Sequence, residues 1–321
     1  LNNNYIMKNI YSNIYSFNKK TIKQTIKSLK QGNIAGLPTE TVYGLAGNAY
    51  SKKAVKKIFK LKNRPRINPL IIHYLTLSKI NNDVKVNKSF FKLYNKFCPG
   101  PLTFVLEKRK KSKIVSLASA KLDTVAIRFP KHKVIRSILK LINFPLAMPS
   151  ANLSSGLSPV NAYDVFEEFG KKIKTIINGG SSKIGIESTV ISLIGKPKVL
   201  RPGLISEREI KKVLKTNLGN KSSKIRSPGM LKKHYSPGIP VIMDQKPINR
   251  KYAYIVFGKK CKNSKNYFNL SKKGDLKEAA ANLYKTMRKI KKKGYKKIFV
   301  SKIPNKGPGL AMNDRLRRAS N

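Results

Sequence analysis

The sequence predicts an α/β protein made of a larger N-terminal unit and a second, smaller α/β unit. Three observations carry this. Amphipathic segments with helical spacing alternate with short β-branched runs up to about residue 219. Residues 220–240 lose that periodicity and gather serine, glycine and proline, as a linker does. Strand and helix patterns then resume.

Each element has its own signal. TIKQTIKSLKQ, residues 21–31, places Ile22, Ile26 and Leu29 on one helical face before Gly32. NIAGLP is a short strand that runs into GLPTETVYGLAG, residues 36–47, which reads as a loop too broken for a helix and too polar for a buried strand. SKKAVKKIFKLK repeats the helical period through Val55, Ile58, Phe59 and Leu61, then gives way to the proline-kinked NRPRINP and the strand LIIHYL. SFFKLYNKF is a short helix, halted by CPGP ahead of the strand LTFVLEK. TVAIRFP is a strand and VIRSILKLI a helix; PLAMPSAN ends a strand in a polar turn, and KTIINGG, IESTVISL and KVLRPG add short strands. Beyond the linker, VIMDQ, YAYIVFG and KKIFV are strands. DLKEAAANLYKTMRKI is a helix whose apolar stripe runs Leu276, Ala279, Ala280, Leu283, Met287 and Ile290. The ending LAMNDRLRRA reads as a turn or two of solvated helix with a basic face.

With 321 residues, 40% of them hydrophobic, the chain can bury two cores. Cys98 and Cys261 lie far apart without CxxC spacing, so neither a disulfide framework nor a thiolate metal site is expected. No apolar run approaches the roughly 20 residues a spanning helix needs, which leads to the expectation of a cytoplasmic protein with no membrane partner. The first methionine is Met7, and Leu1 to Ile6 read as an upstream or alternative-start extension. Lysine and arginine total 69 against 14 acids, a formal charge of +55. Such a charge attracts nucleic acid. Lysine spread evenly among many asparagines reads instead as a chain-wide bias, which leaves weak tRNA binding as a secondary expectation.

No phosphate-loop, dinucleotide, HExxH or GxSxG motif is present. His73, His132 and His234 are too dispersed for a histidine-rich metal centre. What remains is a set of cations and neutral donors. Lys62, Arg64, Arg66 and Asn68 lead into a proline-constrained loop, where a polyphosphate is the natural guest. Alternation in TVAIRFP puts Thr124 and Arg128 on one face, so both can address one cavity, and arginine there suits a carboxylate. Ser150 and Asn152 sit on a turn, and Ser188, Thr189 and Arg201 follow in later segments. Ordinary readings compete: surface charges for Lys62 and Arg64, a satisfied core imidazole for His73, a strand-edge cation for Arg128. Only Glu40 and Glu187 are acids within these segments. Paired-carboxylate catalysis therefore has little to work with, whereas nucleotidyl transfer to a substrate that brings its own anionic nucleophile fits.

Taken together, GLPTETVYGLAGNA, FKLKNRPRINPLIIH, FCPGPLTFVL, TVAIRFP, MPSANLSSG, NGGSSKIGIESTVISL and LRPG resemble, in order, the threonylcarbamoyl-adenylate synthase family. SPGMLKKHYSP and GPGLAMNDRLRRAS resemble its longer, two-domain branch, so nearly the whole chain is covered. The resemblance implies a YrdC-like twisted mixed-sheet catalytic domain over residues 7–219, a linker and active-site lid over 220–240, and a small Rossmann-like domain over 241–321. It implies synthesis of L-threonylcarbamoyl-adenylate and pyrophosphate from L-threonine, bicarbonate or CO2, and ATP with Mg2+. A downstream tRNA threonylcarbamoyl transferase would use the product beside the anticodon. Carried onto this chain, the family pattern places Thr41, His73, Arg128 and Ser188 at threonine. Lys62, Arg64, Asn68, Thr124, Ser150, Asn152, Ser158, Arg201 and Tyr235 fall at ATP, with Lys62 and Arg64 acting on the transferring phosphoryl group and no protein metal ligand. The family's lid reads nearer MKYRHY, whereas Met230–Tyr235 here reads MLKKHY.

An RNA-binding module, and an adenylating or carbamoyl-transferring enzyme with another acceptor, are the competing readings. The first predicts salt-sensitive tRNA binding without threonine-dependent ATP turnover. The second predicts ATP use that persists when threonine is replaced.

Overall fold

A computed structural model of the protein describes residues 11–220, 234–247, 249–259 and 264–320. The larger unit is built on one mixed sheet. Its strands are β1 (Ile14–Ser16), β2 (Ala35–Leu37), β3 (Gly44–Asn48), β4 (Ile71–His73), β5 (Leu102–Glu107), β6 (Thr124–Arg128), β7 (Leu146–Ala147), β8 (Ile176–Asn178), β9 (Thr189–Ser192) and β10 (Lys198–Arg201). They lie in the order β1-β8-β2-β3-β7-β4-β6-β5-β9-β10. The β4/β6 and β5/β9 pairs are parallel, while β5/β6, β4/β7 and β9/β10 are antiparallel.

Helices Lys19–Lys30 and Lys133–Leu141 bury Ile22, Ile26, Ile135 and Ile138 in one apolar cluster. Helix Lys52–Lys62 buries Val55, Ile58 and Phe59 in another. That helix fixes the cation loop. Ser51 accepts from Ala54 N at its start, and Asn63 ends it in the left-handed region at φ 48°. Asparagine tolerates that conformation, and Pro65 then blocks further helix. Arg64 therefore leaves the helix at a set angle.

The GLPTETVYGLAG segment departs from its sequence reading. Every residue from Gly36 to Gly47 is buried, its first two lying in strand β2 and its last four in strand β3. Thr39 resolves the polarity: its hydroxyl donates to Val42 O at 2.6 Å and lies 2.8 Å from Thr41 Oγ1, so the hydroxyls are satisfied inside the fold. Helices Ala162–Phe169 and Glu207–Leu214, and strand β1, had no sequence counterpart.

The smaller unit has an all-parallel sheet in the order β11-β14-β12-β13, from Val241–Met243, Ala253–Val256, Tyr267–Asn269 and Ile298–Val300 in chain order. Helices Leu276–Lys292 and Pro308–Ser320 pack with it. The final helix corrects the expectation of a solvated ending. It runs 13 residues and buries Ala311, Met312, Arg315, Leu316 and Ala319.

The two units share an apolar cluster, in which Val42, Leu157, Val160 and Ile186 join Ala280, Leu283, Tyr284 and Met287. Their approach is close enough to require glycine. At Gly185, φ is +75° and an added Cβ would lie 2.5 Å from Ala281 Cα.

Candidate active site

The site lies where β4 and β6 end and β9 begins, beneath the junction of the two units. Registers His73↔Arg128 and Thr103↔Arg128 bring three chemically active side chains to one level of the sheet. Ser188, just ahead of β9, joins them through a 2.8 Å contact with Thr103 Oγ1. A cavity of about 540 Å3, its mouth included, opens here.

One wall belongs to Arg128. Its Nη1 donates to Thr41 Oγ1 at 2.8 Å and its Nη2 to Glu40 Oε1 at 2.6 Å. Glu40 Oε2 also accepts from Lys131 N and His132 N. Burial opposes the Glu40 charge, but the Arg128 guanidinium and these donors hold its carboxyl below the usual range. The fork of Arg128 is thus already partly engaged, and a ligand carboxylate must meet its remaining N–H groups. His73, beside it, is neutral: burial, reinforced by the Arg128 charge, pushes it down to about 3. Its Nδ1 lies 3.3 Å from Ile71 O; if that nitrogen holds the proton, Nε2 is left as an acceptor.

The opposite wall carries Arg64 and Arg201. Arg64 donates from Nε and Nη2 to Asn68 O, Asn68 Oδ1 and Pro69 O at 2.7–2.9 Å, so its own loop orients it. Burial and the Arg201 charge lower Arg64 to about 9, which leaves it cationic at neutral pH. Arg201 donates from Nε and Nη2 to Ser188 O and from Nη2 to Ser188 Oγ, at 3.0–3.1 Å. Behind it, Gly203 permits tight packing, since an added Cβ would lie 2.3 Å from Thr189 N.

Of the residues expected from sequence, the cavity gathers Thr41, Arg64, His73, Arg128, Ser150, Ser188, Arg201 and Tyr235. Four others stand directly behind that lining. Lys62 is buried beneath the Ser150–Asn152 turn, where Nζ donates to Ser150 O at 2.7 Å and to Asn152 O. Burial, then Arg64, lower its pKa well below the ordinary value. Asn68 orients Arg64, Asn152 donates to Leu153 O and Gly156 O, and Ser158 donates to Glu187 at 2.5 Å. Thr124 is placed apart. It does share a pleat face with Arg128, but four residues of strand separate them by roughly 13 Å, and it does not line the cavity.

Sequence reasoning missed Thr39, Tyr43 and Met148 as lining residues, and it missed the partners of Glu187. Glu187 accepts from Ser158, from Tyr284 OH at 3.1 Å and from Arg315 Nε at 3.0 Å. Against the cost of burial, Arg315 and then Arg201 pull its carboxyl down to about 2. The available signal was Arg315 itself, set inside the stripe Ala311, Met312, Leu316, Ala319.

His234 and Tyr235 cover the cavity from the linker. Residues 221–233, which hold most of the expected lid, lie outside the described residues. Tyr235 is 1% exposed, with φ at 65° and its ring 6.0 Å from that of Tyr284. His234 Nδ1 and Tyr235 OH are buried without a hydrogen-bond partner among the described residues. Such atoms in a cavity wall suit a polar ligand. Among the described residues, no group of three or more His, Cys, Asp or Glu is placed to hold a metal ion, and no helix is long and apolar enough to cross a membrane.

A mixed-sheet unit whose cation-lined cavity is closed by a linker and a small parallel-sheet unit is the YrdC-like, two-domain architecture. The family model Sua5_yciO_yrdC, described as telomere recombination, matches residues 27–203. The threonylcarbamoyl-AMP synthase C-terminal domain matches residues 205–321. The threonylcarbamoyl-AMP synthase of Pyrococcus abyssi is 38% identical over 317 residues, covering 91% of this chain and 92% of that protein. That of Bacillus subtilis is 33% identical over 327 residues, covering 95% and 94%. The crystal structure of P. abyssi Sua5 complexed with L-threonine is similar at a TM-score of 0.87 and 35% identity, over 96% of this chain and 97% of that one. The chain belongs to the Sua5/YrdC threonylcarbamoyl-AMP synthase family, in its two-domain form.

Proposed function

We propose that this protein is an L-threonylcarbamoyladenylate synthase, a cytoplasmic nucleotidyltransferase. It joins L-threonine, bicarbonate-derived CO2 and ATP. Residues 7–219 act as the catalytic domain, 220–240 as the covering linker and 241–321 as its support. The observation that carries the reading is a cavity that presents Arg64, Arg128 and Arg201 while its two nearby carboxylates are paired, Glu40 behind the lining with Arg128 and Glu187 within it with Arg315. Neither is free to serve as a base, which favours a substrate that brings its own anionic nucleophile.

Threonine lies against Thr41, His73, Arg128 and Ser188. The unused Arg128 N–H groups meet its carboxylate, and neutral His73 accepts from its ammonium or hydroxyl. The ammonium gives one proton to solvent, and the neutral amine then adds to CO2, forming an N–C bond and releasing a second proton to solvent. A carbamate oxygen then attacks the ATP α-phosphorus, and the bond to the departing pyrophosphate breaks. Arg64 and Arg201 face the developing phosphoryl charge, while Lys62 holds the Ser150–Asn152 turn against the nucleotide. Magnesium enters with ATP and neutralises phosphate charge. His234 and Tyr235 keep water from the carbamate. The product passes to a downstream tRNA threonylcarbamoyl transferase. The threonine-bound P. abyssi relative supports the amino-acid side of this reading.

The test is pyrophosphate release by purified protein with ATP, magnesium and bicarbonate. Release that requires L-threonine supports the reading; equal release with serine or without amino acid overturns it.

A further inference from the structure

We infer that Arg315, from the last helix of the smaller unit, is a positioning residue for the nucleotide wall, acting by keeping Glu187 away from Arg201. The inference rests on the proposed reaction and adds a residue that touches no substrate.

Arg315 does not line the cavity, yet it holds three segments that do. Nε binds Glu187 at 3.0 Å, immediately before Ser188. Nη1 binds Pro202 O at 2.8 Å, immediately after Arg201. The guanidinium lies 5.2 Å from the centre of the Tyr235 ring. Arg201 ties the same two strand ends from within the cavity, through Ser188 O and Oγ. The Glu187 carboxylate therefore lies in the field of two guanidinium groups, and of its hydrogen-bond donors only Arg315 carries a charge.

Charge accounts for the arrangement. Arg315 is 1% exposed and Glu187 6%. A buried carboxylate that loses its partner takes the nearest alternative cation. Here that cation is Arg201, whose capture would pull it from Ser188 and neutralise it toward phosphate. Tyr284 OH and Ser158 also donate to Glu187, but as neutral groups they cannot cancel its charge. The smaller unit thus supplies the counter-charge that leaves Arg201 free for the nucleotide.

The experiment compares wild type, Arg315→Met, Glu187→Gln and the double variant in threonine-dependent pyrophosphate release, with ATP varied and unfolding midpoints measured. Wild-type activity is the control: its absence would fail the proposed reaction and not this inference. Arg315→Met should raise KM for ATP about tenfold, Glu187→Gln should raise it less because it leaves no carboxylate to capture Arg201, and the double variant should fall back to the Glu187→Gln value. A purely structural Arg315 would lower the midpoint and the active fraction without moving KM. Should Arg315→Met not fold, Arg315→Lys, which keeps the charge and loses the fork, is compared with Arg315→Lys plus Glu187→Gln. There the lysine-only variant should retain KM within about threefold, and adding Glu187→Gln should bring it no higher than Glu187→Gln alone. A folded Arg315→Met variant with wild-type KM, or a double variant whose KM rises additively, would overturn the inference.

Discussion

The two walls of the cavity each hold a buried glutamate paired with an arginine, and they are built differently. Glu40 and Arg128 both belong to the larger unit, and the pair is completed by backbone donors from the loop after β6. Glu187 belongs to the larger unit, but its charge is balanced by Arg315 from the smaller one. One wall is therefore complete within a single sheet. The other is complete only when the second unit is docked. The difference explains why the smaller unit buries a tyrosine and an arginine against the site without lining it.

The largest expected effect is on the self-contained wall. Arg128→Ala leaves Glu40 buried and unpaired, which costs about 3–5 kcal/mol of stability and abolishes threonine-dependent turnover. A denaturation midpoint equal to wild type would break the comparison at its root. Arg64→Ala removes a cation without stranding an acid. It should lower kcat about a hundredfold and cost about 1–2 kcal/mol through its lost loop hydrogen bonds, less than Arg128→Ala, as steady-state kinetics and melting curves would show.

The comparison extends to pH, because each wall buries a histidine. His73 and His234 are both depressed to about 3 from an ordinary 6.5, each chiefly by burial. Above pH 6.5 both are neutral folded or unfolded, so stability is full. Below it the unfolded chain takes up protons first, and stability falls toward pH 3. The slope approaches 1.4 kcal/mol per pH unit for each imidazole, by about that amount where only the unfolded state titrates. His234→Phe should remove its share of the slope and leave that of His73, as urea titrations between pH 6.5 and 4 would show. An unchanged slope would mean that the linker histidine is not buried in solution.

Much of this was legible in the sequence. The helical period set Lys52–Lys62, and with it the launch of Arg64; the motif order of the family set the cavity lining. What was not legible had particular causes. Thr124 was grouped with Arg128 because alternation reports which face a side chain is on and not how far along the strand it lies. Arg315 was read as a solvated cation because a buried charge and an exposed one have the same letter, and only the tertiary partner Glu187 distinguishes them. The polar GLPTETVYGLAG segment is buried because its threonines bond within the segment, which composition does not reveal.

Two smaller effects sharpen the contrast. Tyr284→Phe removes one neutral donor to Glu187 and should cost about 1 kcal/mol in chemical denaturation, with KM for ATP moved far less than by Arg315→Met. Thr124→Val replaces a hydroxyl whose Oγ1 is buried without a partner among the described residues, so stability and turnover should stay within experimental error of wild type. A large loss of ATP affinity in that variant would return Thr124 to the nucleotide site.

The central claim is that one cavity joins threonine, CO2 and the adenylyl group without a protein nucleophile. Carbon-13 bicarbonate tests it most directly, supplied with ATP, magnesium and L-threonine and followed by mass spectrometry of the nucleotide product. The account predicts threonylcarbamoyl-adenylate heavier by one labelled carbon, with equimolar pyrophosphate. An unlabelled threonyl-adenylate, or a covalently adenylylated protein, would contradict it.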